Sequence, residues 1–304
     1  MISGAKILVT GVTGAVGAPV AKALAKDNEV WGIARFTDPA KRADIEAAGV
    51  ITRSVDIGSG DFSQVPDDFT YVLHLNWMRG GLDQLQEAIR TNIEGPGLLM
   101  QHTRKARATL VASSMIIYSP SANPEHLFTE SDCIGNASYA YNATSPYSKA
   151  GLEAVARLCA RAFDMKTTIA RLNTVFAPGN CYPTMIMNSV LTDKPVVAPH
   201  ANNVHSPIHI DDIIAQIEPM LEAASNPAFI VNWGGDEHVS VQEWVRLASE
   251  WSGKNAQVQV MSAPGAPIAN ASDPTLRASI TGPCQRDFRN EYRKLFDRMT
   301  AQTN

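Results

Sequence analysis

The stretch Lys6–Gly17, KILVTGVTGAVG, decides the reading of the fold. Lys6 to Thr10 is a short apolar run ending at a glycine, the pattern of a buried strand. Glycines follow at 11, 14 and 17, and the segment AVGAPVAKALAK after them is helix-forming and apolar on one side. Glycine permits a tight turn and lets a pyrophosphate approach the backbone closely. The helix behind such a turn aims its N-terminal amides and positive dipole end at the same spot. This order predicts a dinucleotide phosphate loop that uses Gly11, Thr13, Gly14, Val16 and Gly17. A plain strand-to-helix turn is the competing reading.

Working outward, the same alternation repeats. Strands are expected at Glu29–Ala34, Val50–Val55, Tyr71–Leu75, Ala108–Ser113 and Thr167–Leu172. Helical patterns lie between them at Asp38–Ala48, Leu82–Arg104 and Tyr147–Phe163. Strands alternating with helices predict an α/β fold, a Rossmann-type doubly wound parallel sheet. After Val175 the pattern loosens into FAPGNCYPTM, a Pro/Gly loop, and residues 262–284 read as loop. The expected organisation is a dinucleotide-binding domain over 1–175 and a smaller substrate lobe over 176–304, with about 207–233 returning to the first domain.

Composition narrows the partners. The chain has 304 residues, 45% apolar and 18% charged, with a formal net charge of −4. No dense basic run points to nucleic acid or a membrane surface, and no apolar run reaches spanning length. Cys133, Cys159, Cys181 and Cys284 are far apart and lack metal-ligand spacing, so reduced thiols and no metal site are expected. The N-terminal segment shows no signal-peptide pattern, and the expected location is cytoplasmic.

The spacing G-x-x-G-x-x-G in TGVTGAVG resembles the extended branch of the short-chain dehydrogenase/reductase superfamily, the epimerase/dehydratase-like group. The similarity continues through VASSMIIYSP, SPYSK, ARLNTVFAPGN and SPIHIDDI, over about residues 5 to 252. It implies cofactor contacts from Asp56 and Ile57 after the third strand, and from Leu75 and Asn76 after the fourth. An exposed turn aspartate fits Asp56 equally. Asn92, in TNIEGPGLL, matches the asparagine that holds a water or carbonyl near the catalytic lysine; a structural role is its rival. NAD-preferring sites place an acidic residue at the end of the second strand, where this chain has Ala34 and Arg35. A guanidinium suits a 2′-phosphate, so NADP is expected over NAD.

The resemblance also locates the chemistry. Ser114 matches the family's catalytic hydroxyl, which donates to a substrate carbonyl oxygen. The family then has Y-x-x-x-K, with tyrosine as the acid/base and lysine lowering its pKa. Lys149 is present, but position 145 is Ser145 and the nearest tyrosine ahead is Tyr147. Four residues turn a helix by roughly 400°, onto the same face, whereas two turn it by roughly 200°. Two alignments stay open. Either the tyrosine has become Ser145, or two residues are lost and Tyr147 is the old tyrosine, entering ahead of the helix behind Pro146. Tyr139 and Tyr141 are further candidates.

Trp77, Met115, Tyr118 and Tyr182 are the expected substrate contacts, and they suggest an apolar or aromatic pocket. The family's R-D-F run, whose arginine grips a diphosphate, is replaced by His205, Ser206 and Pro207. The expectation is therefore an NADP-dependent oxidoreductase reducing a carbonyl, or oxidising an alcohol, of a hydrophobic small molecule. The alternatives are a sugar epimerase or dehydratase with retained cofactor, and a non-catalytic NADP-binding regulator. The resemblance further implies a homodimer.

Overall fold

The computed structural model describes residues 2–138, 142–179, 181–262 and 264–301. The chain forms two compact units. The first comprises Met1–Ile117, Tyr139–Arg171 and Ile214–Val231, and the second Tyr118–Ser138, Leu172–Ile213 and Asn232–Asn304.

In the first unit, β1 (Lys6–Thr10) leads through the glycines into α1 (Gly17–Leu24), then β2 (Glu29–Ala34), α2 (Pro39–Glu46) and β3 (Ile51–Ser54). β4 (Tyr71–His74) begins the second half and β5 (Ala108–Ser114) follows α3 (Leu85–Ile89) and α4 (Gly95–His102). α5 (Ser145–Ala162) and β6 (Thr167–Leu172) complete the α/β alternation. With β11 (Phe229–Trp233), these strands make a seven-stranded sheet in the order β11-β6-β5-β4-β1-β2-β3. Registers are parallel from β3 through β2, β1 and β4 to β5. The strand order reverses between β1 and β4, and open α/β sheets bind ligands at such a reversal, beyond the strands' carboxyl ends. The doubly wound sheet expected from the sequence is present. Its inner strands are apolar throughout: Ile7, Leu8, Val9, Leu73 and Leu110 have no exposed surface, as two covered faces require.

The expected single helix over Leu82–Arg104 is instead composite. A 3₁₀ turn at Leu82–Gln84 precedes α3, a π-helical stretch at Arg90–Glu94 follows it, and α4 closes the segment. Pro96 lacks the N–H that an α-helix would give to the Asn92 carbonyl, so the ladder opens just where the π turn sits. Gly95 is needed there because a Cβ would run into the Ile57 carbonyl oxygen.

The second unit holds β7 (Val175–Phe176), α6 (Tyr182–Leu191), β8 (Val196–Ala198), β9 (Val204–His205) and β10 (Ile208–His209). α7 (Ile210–Glu222) starts in it and continues into the first unit. β12 (Val239–Ser240), α8 (Val241–Ser252), β13 (Val258–Val260), α9 (Thr275–Thr281) and α10 (Phe288–Ala301) complete it. α9 lies inside the stretch expected to be loop. The core of this unit is aromatic: Phe288 sits 5.3 Å from Phe176 and 5.1 Å from Tyr292, and Trp244 is fully buried beside them. No helix among the described residues is long and apolar enough to cross a membrane, and none of their His, Cys, Asp and Glu side chains form a group of three or more that could hold a metal ion.

Candidate functional site

The turn after β1 is built by close backbone approaches. Gly11 has φ +70°, and a Cβ there would stand 2.9 Å from the Cα of Asn76. A Cβ at Gly17 would collide with the Gly11 carbonyl oxygen. Gly14 donates its N–H to that same oxygen at 2.9 Å. Val16, the N-cap of α1, has no side chain capping the helix. In the first turn Ala18 donates its N–H to the Gly14 carbonyl at 3.0 Å and Pro19 has none to give.

Thr10 ties this turn to the end of β4. Its Oγ1 accepts the N–H groups of Leu75 and Asn76, both at 3.0 Å, and lies 3.1 Å from His74 Nδ1. A hydroxyl that accepts twice gives its hydrogen to Nδ1, so the imidazole proton sits on Nε2. His74 is fully buried, and burial, helped by the charge of Lys149, pulls its pKa down to about 3. This is a neutral structural histidine.

Arg35 is exposed beyond β2, with its carbonyl oxygen accepting the Ser54 hydroxyl. The neighbouring Arg42 is engaged by Glu46 and Thr52, while Lys41 is exposed. Asp56 caps the turn at Ile57–Ser59, its Oδ1 accepting the Gly58 N–H at 3.1 Å; its Oδ2 lies 3.7 Å from Arg90. Ile57 is buried beneath it.

Helix α5 begins at Ser145 with Pro146 in its first turn. The helix therefore runs continuously through the segment, and Ser145 stands on the face of Lys149. Ser145 is 1% exposed and Lys149 5%, whereas Tyr147 is 64% exposed. The structure does not bring Tyr147 to the lysine, because two residues of helix carry it to the opposite side. The proposed entry ahead of the helix does not occur, since Pro146 stands inside the first helical turn. Tyr139 and Tyr141 lie outside the described residues.

Lys149 Nζ donates to the Ala112 carbonyl at 2.6 Å and lies 3.7 Å from the centre of the Trp77 ring. Burial lowers its pKa to about 7, against an opposing pull from Glu153 and with a smaller push from Arg79. Trp77 in turn donates Nε1–H to Ser145 Oγ at 3.2 Å. Asn92 clamps the next residue at two points, accepting the Met78 N–H at 2.9 Å and donating to the Met78 carbonyl at 2.8 Å. Ser114 is partly exposed at the end of β5, where its hydroxyl accepts the Ile116 N–H. Ser113 beside it donates to Glu153 at 2.5 Å, and Glu153 forms a two-point buried pair with Arg171 at 3.0 and 2.9 Å. Sequence reasoning left Glu153 unassigned, although its place four residues after Lys149 puts it on the same face.

Two of the four expected substrate contacts are core. Met115 is 1% exposed. Tyr118 is 2% exposed, stacked 4.9 Å from Phe128, and gives its hydroxyl hydrogen to Asn232 at 2.7 Å. Tyr182 packs edge-on to Trp244 at 5.6 Å. His205, at the position of the family's arginine, is partly buried, and the loss of water around it pulls its pKa down to about 4. It bonds Thr174 and Asn203 at 2.8 and 3.1 Å, so it offers no cation.

The NAD dependent epimerase/dehydratase family matches residues 7–234. The chain belongs to this family. UDP-glucuronate 4-epimerase 1 of Arabidopsis thaliana is 26% identical over 326 residues, covering 95% of this chain and 72% of that protein. Among solved structures, UDP-glucuronic acid 4-epimerase from Bacillus cereus, in complex with UDP-glucuronic acid and NAD, superposes with a TM-score of 0.83 at 22% identity, over 98% of this chain and 99% of that one. UDP-glucose 4-epimerase from Thermotoga maritima, with UDP-glucose, gives 0.82 at 17% identity, over 98% and 100%. These relatives overturn the expected ketoreductase acting on a hydrophobic carbonyl compound, and with it the apolar or aromatic substrate. That inference leaned on Met115 and Tyr118, which fill the core, and on a missing arginine. This epimerase/dehydratase family member thus sits among proteins named for polar nucleotide sugars.

Proposed function

We propose that the chain is a nicotinamide-dinucleotide-dependent enzyme that acts on a nucleotide sugar through a transient ketone, as an epimerase or dehydratase, and keeps its cofactor through the cycle. One observation carries the reading. In a chain of this family, Lys149 is still buried and anchored at the end of β5 by the Ala112 carbonyl. The relatives' names support UDP-sugars as the substrate class.

The residues fit the cofactor. The turn at Gly11, Gly14 and Gly17 packs backbone on backbone with no room for a Cβ at Gly11 or Gly17, and α1 begins behind it without a side-chain cap, its positive dipole end suited to a pyrophosphate. Thr13, Val16, Leu75 and Asn76 would complete the backbone cradle, and Asp56 and Ile57 the adenine end. A bound dinucleotide would supply the acceptor, and on the return the donor, of a hydride. Lys149 would hold the ribose next to the nicotinamide. Ser114 would hold the sugar oxygen as it changes between hydroxyl and ketone. Arg35, exposed and without an ion pair among the described residues, supports a preference for the 2′-phosphate of NADP.

The test is proton NMR of UDP-glucuronate, UDP-glucose and UDP-N-acetylglucosamine, each incubated with the protein and either dinucleotide. A C4 epimer or a dehydrated 4-keto sugar is expected from one of them. Dinucleotide binding without conversion of any would overturn the reading in favour of a non-catalytic binding role.

A further inference from the structure

Y-x-x-x-K places a phenol ring beside the lysine, on its own helix face. Here that helix position carries only the Ser145 hydroxymethyl group, yet the space beside Lys149 is not left to solvent, since both residues are buried. An aromatic ring reaches it from another element. Trp77, just past the end of β4, lays its indole face 3.7 Å from Lys149 Nζ and fixes its edge by donating to Ser145 Oγ. The backbone that presents it is held by the double clamp of Asn92 on Met78. A phenol can lose a proton near neutral pH when a cation lowers its pKa, but an indole N–H cannot. The exchange of ring therefore removes the acid and keeps the contact with the ammonium.

We propose that Trp77, seated on Ser145, is a positioning residue that replaces the tyrosine over Lys149, and that Lys149 itself carries the substrate's proton. This inference rests on the reading of the chain as a nucleotide-sugar enzyme. In the oxidising half-reaction the neutral amine takes the hydroxyl proton as the C–O bond becomes a carbonyl. With a dinucleotide bound, the hydrogen on that same carbon would leave with its electron pair as hydride. On the return the hydride would come back to the carbonyl carbon, and the Lys149 ammonium would give its proton to the oxygen. The indole face and the Ala112 carbonyl stabilise the ammonium between the two halves. Around Nζ, among the described residues, the charged or titratable groups are Glu153 on α5, Arg79 after β4 and His74 on β4, with Arg171 on β6 held by Glu153. Neutral His74 adds no charge. A lysine titrating near 7 suits a proton carrier at neutral pH.

The experiment follows the Cε resonance of Lys149 against pH in protein labelled with ¹³C-lysine, assigned by its loss in Lys149→Met. The wild type is expected to titrate near 7. Trp77→Leu removes the ring but keeps the site apolar, so the midpoint should fall by about half a pH unit or more. Trp77→Phe keeps a ring face and loses only the bond to Ser145, so its midpoint should stay nearer the wild type; Trp77→Met, also ringless and apolar, serves if the leucine variant does not fold. A wild-type midpoint near 10, no downward shift in the ringless variant that folds, or an equal shift in Trp77→Phe, overturns the proposal. UDP-sugar turnover, measured on the same samples, is a separate readout. Its absence, with the titrations as expected, sinks the proposed function and the proton-carrying step but leaves the Trp77 contact. Turnover with an unshifted midpoint sinks the Trp77 role alone.

Discussion

The turn after β1 and the first turn of α5 differ in what they tolerate. In the turn, backbone meets backbone: Gly11 against Asn76, and Gly17 against the Gly11 carbonyl. No side chain can be added without moving a strand, so the sequence there keeps the family's spacing. At α5 the contacts are between side chains from different elements, with Trp77, after β4, against both Lys149 and Ser145. Backbone geometry fixes residue types at given positions; side-chain geometry fixes only which groups meet. The glycine turn accordingly keeps the spacing G-x-x-G-x-x-G, while SPYSK carries Ser145 four residues before Lys149.

Substitutions break this comparison at different places. Lys149→Ala should cost the most, about 10³-fold or more in kcat/KM for a UDP-sugar, because orientation of the ribose and the buried amine go together. Steady-state kinetics would show it, and a loss under tenfold would remove Lys149 from the mechanism. Gly17→Ala should weaken dinucleotide binding by about 10²-fold, since the added Cβ overlaps backbone that cannot yield. Calorimetric titration measures it, and near-normal affinity would show that the turn has slack. Arg35→Ala should weaken NADPH about tenfold and NADH less than twofold, consistent with loss of one exposed charge-assisted contact. Equal losses would end the argument for a 2′-phosphate.

Stability against pH sharpens the α5 half. The folded pKa of Lys149 is about 7, below its ordinary 10.5, so the unfolded chain binds more protons between those values. Stability contributed by this group therefore rises with pH across that window and is lowest below pH 7. Denaturation of wild type and Lys149→Met at several pH values should show the variant gaining relative stability as pH falls from 10.5 to 7. A constant difference would mean that the lysine keeps its ordinary pKa. The smallest effect belongs to Tyr147→Phe, under twofold in turnover, because that side chain stands on the exposed side of α5. A large loss would restore Tyr147 as the acid.

The fold was legible because its signals are local and periodic. KILVT followed by spaced glycines needs a strand, a turn and a helix, and the alternation to Leu172 needs a parallel sheet. The composite α3–α4 segment was not legible, since a run apolar at helical spacing does not reveal that Pro96 opens the ladder at Asn92. At the site, Ser145, Lys149 and Trp77 could be singled out from sequence, but not that they touch, because the contact joins residues far apart in the chain. The ambiguity at SPYSK turned on whether the helix starts before or after Pro146, a choice that spacing alone leaves open. Met115 and Tyr118 show the opposite error. Apolar residues beside a motif look like a pocket, and the structure spends them on the core.

The central claim is a nucleotide-sugar reaction in which hydride leaves and returns within one site. Its most direct test is to give the protein and its dinucleotide UDP-glucuronate, UDP-glucose and UDP-N-acetylglucosamine, each carrying deuterium at C4, and to follow them by NMR and by absorbance at ~340 nm, where reduced nicotinamide absorbs. The account expects one of them to give a C4 epimer or a dehydrated 4-keto sugar that retains the deuterium, with no net change in absorbance. Conversion of none of them, or a product whose label has exchanged into water, would contradict it.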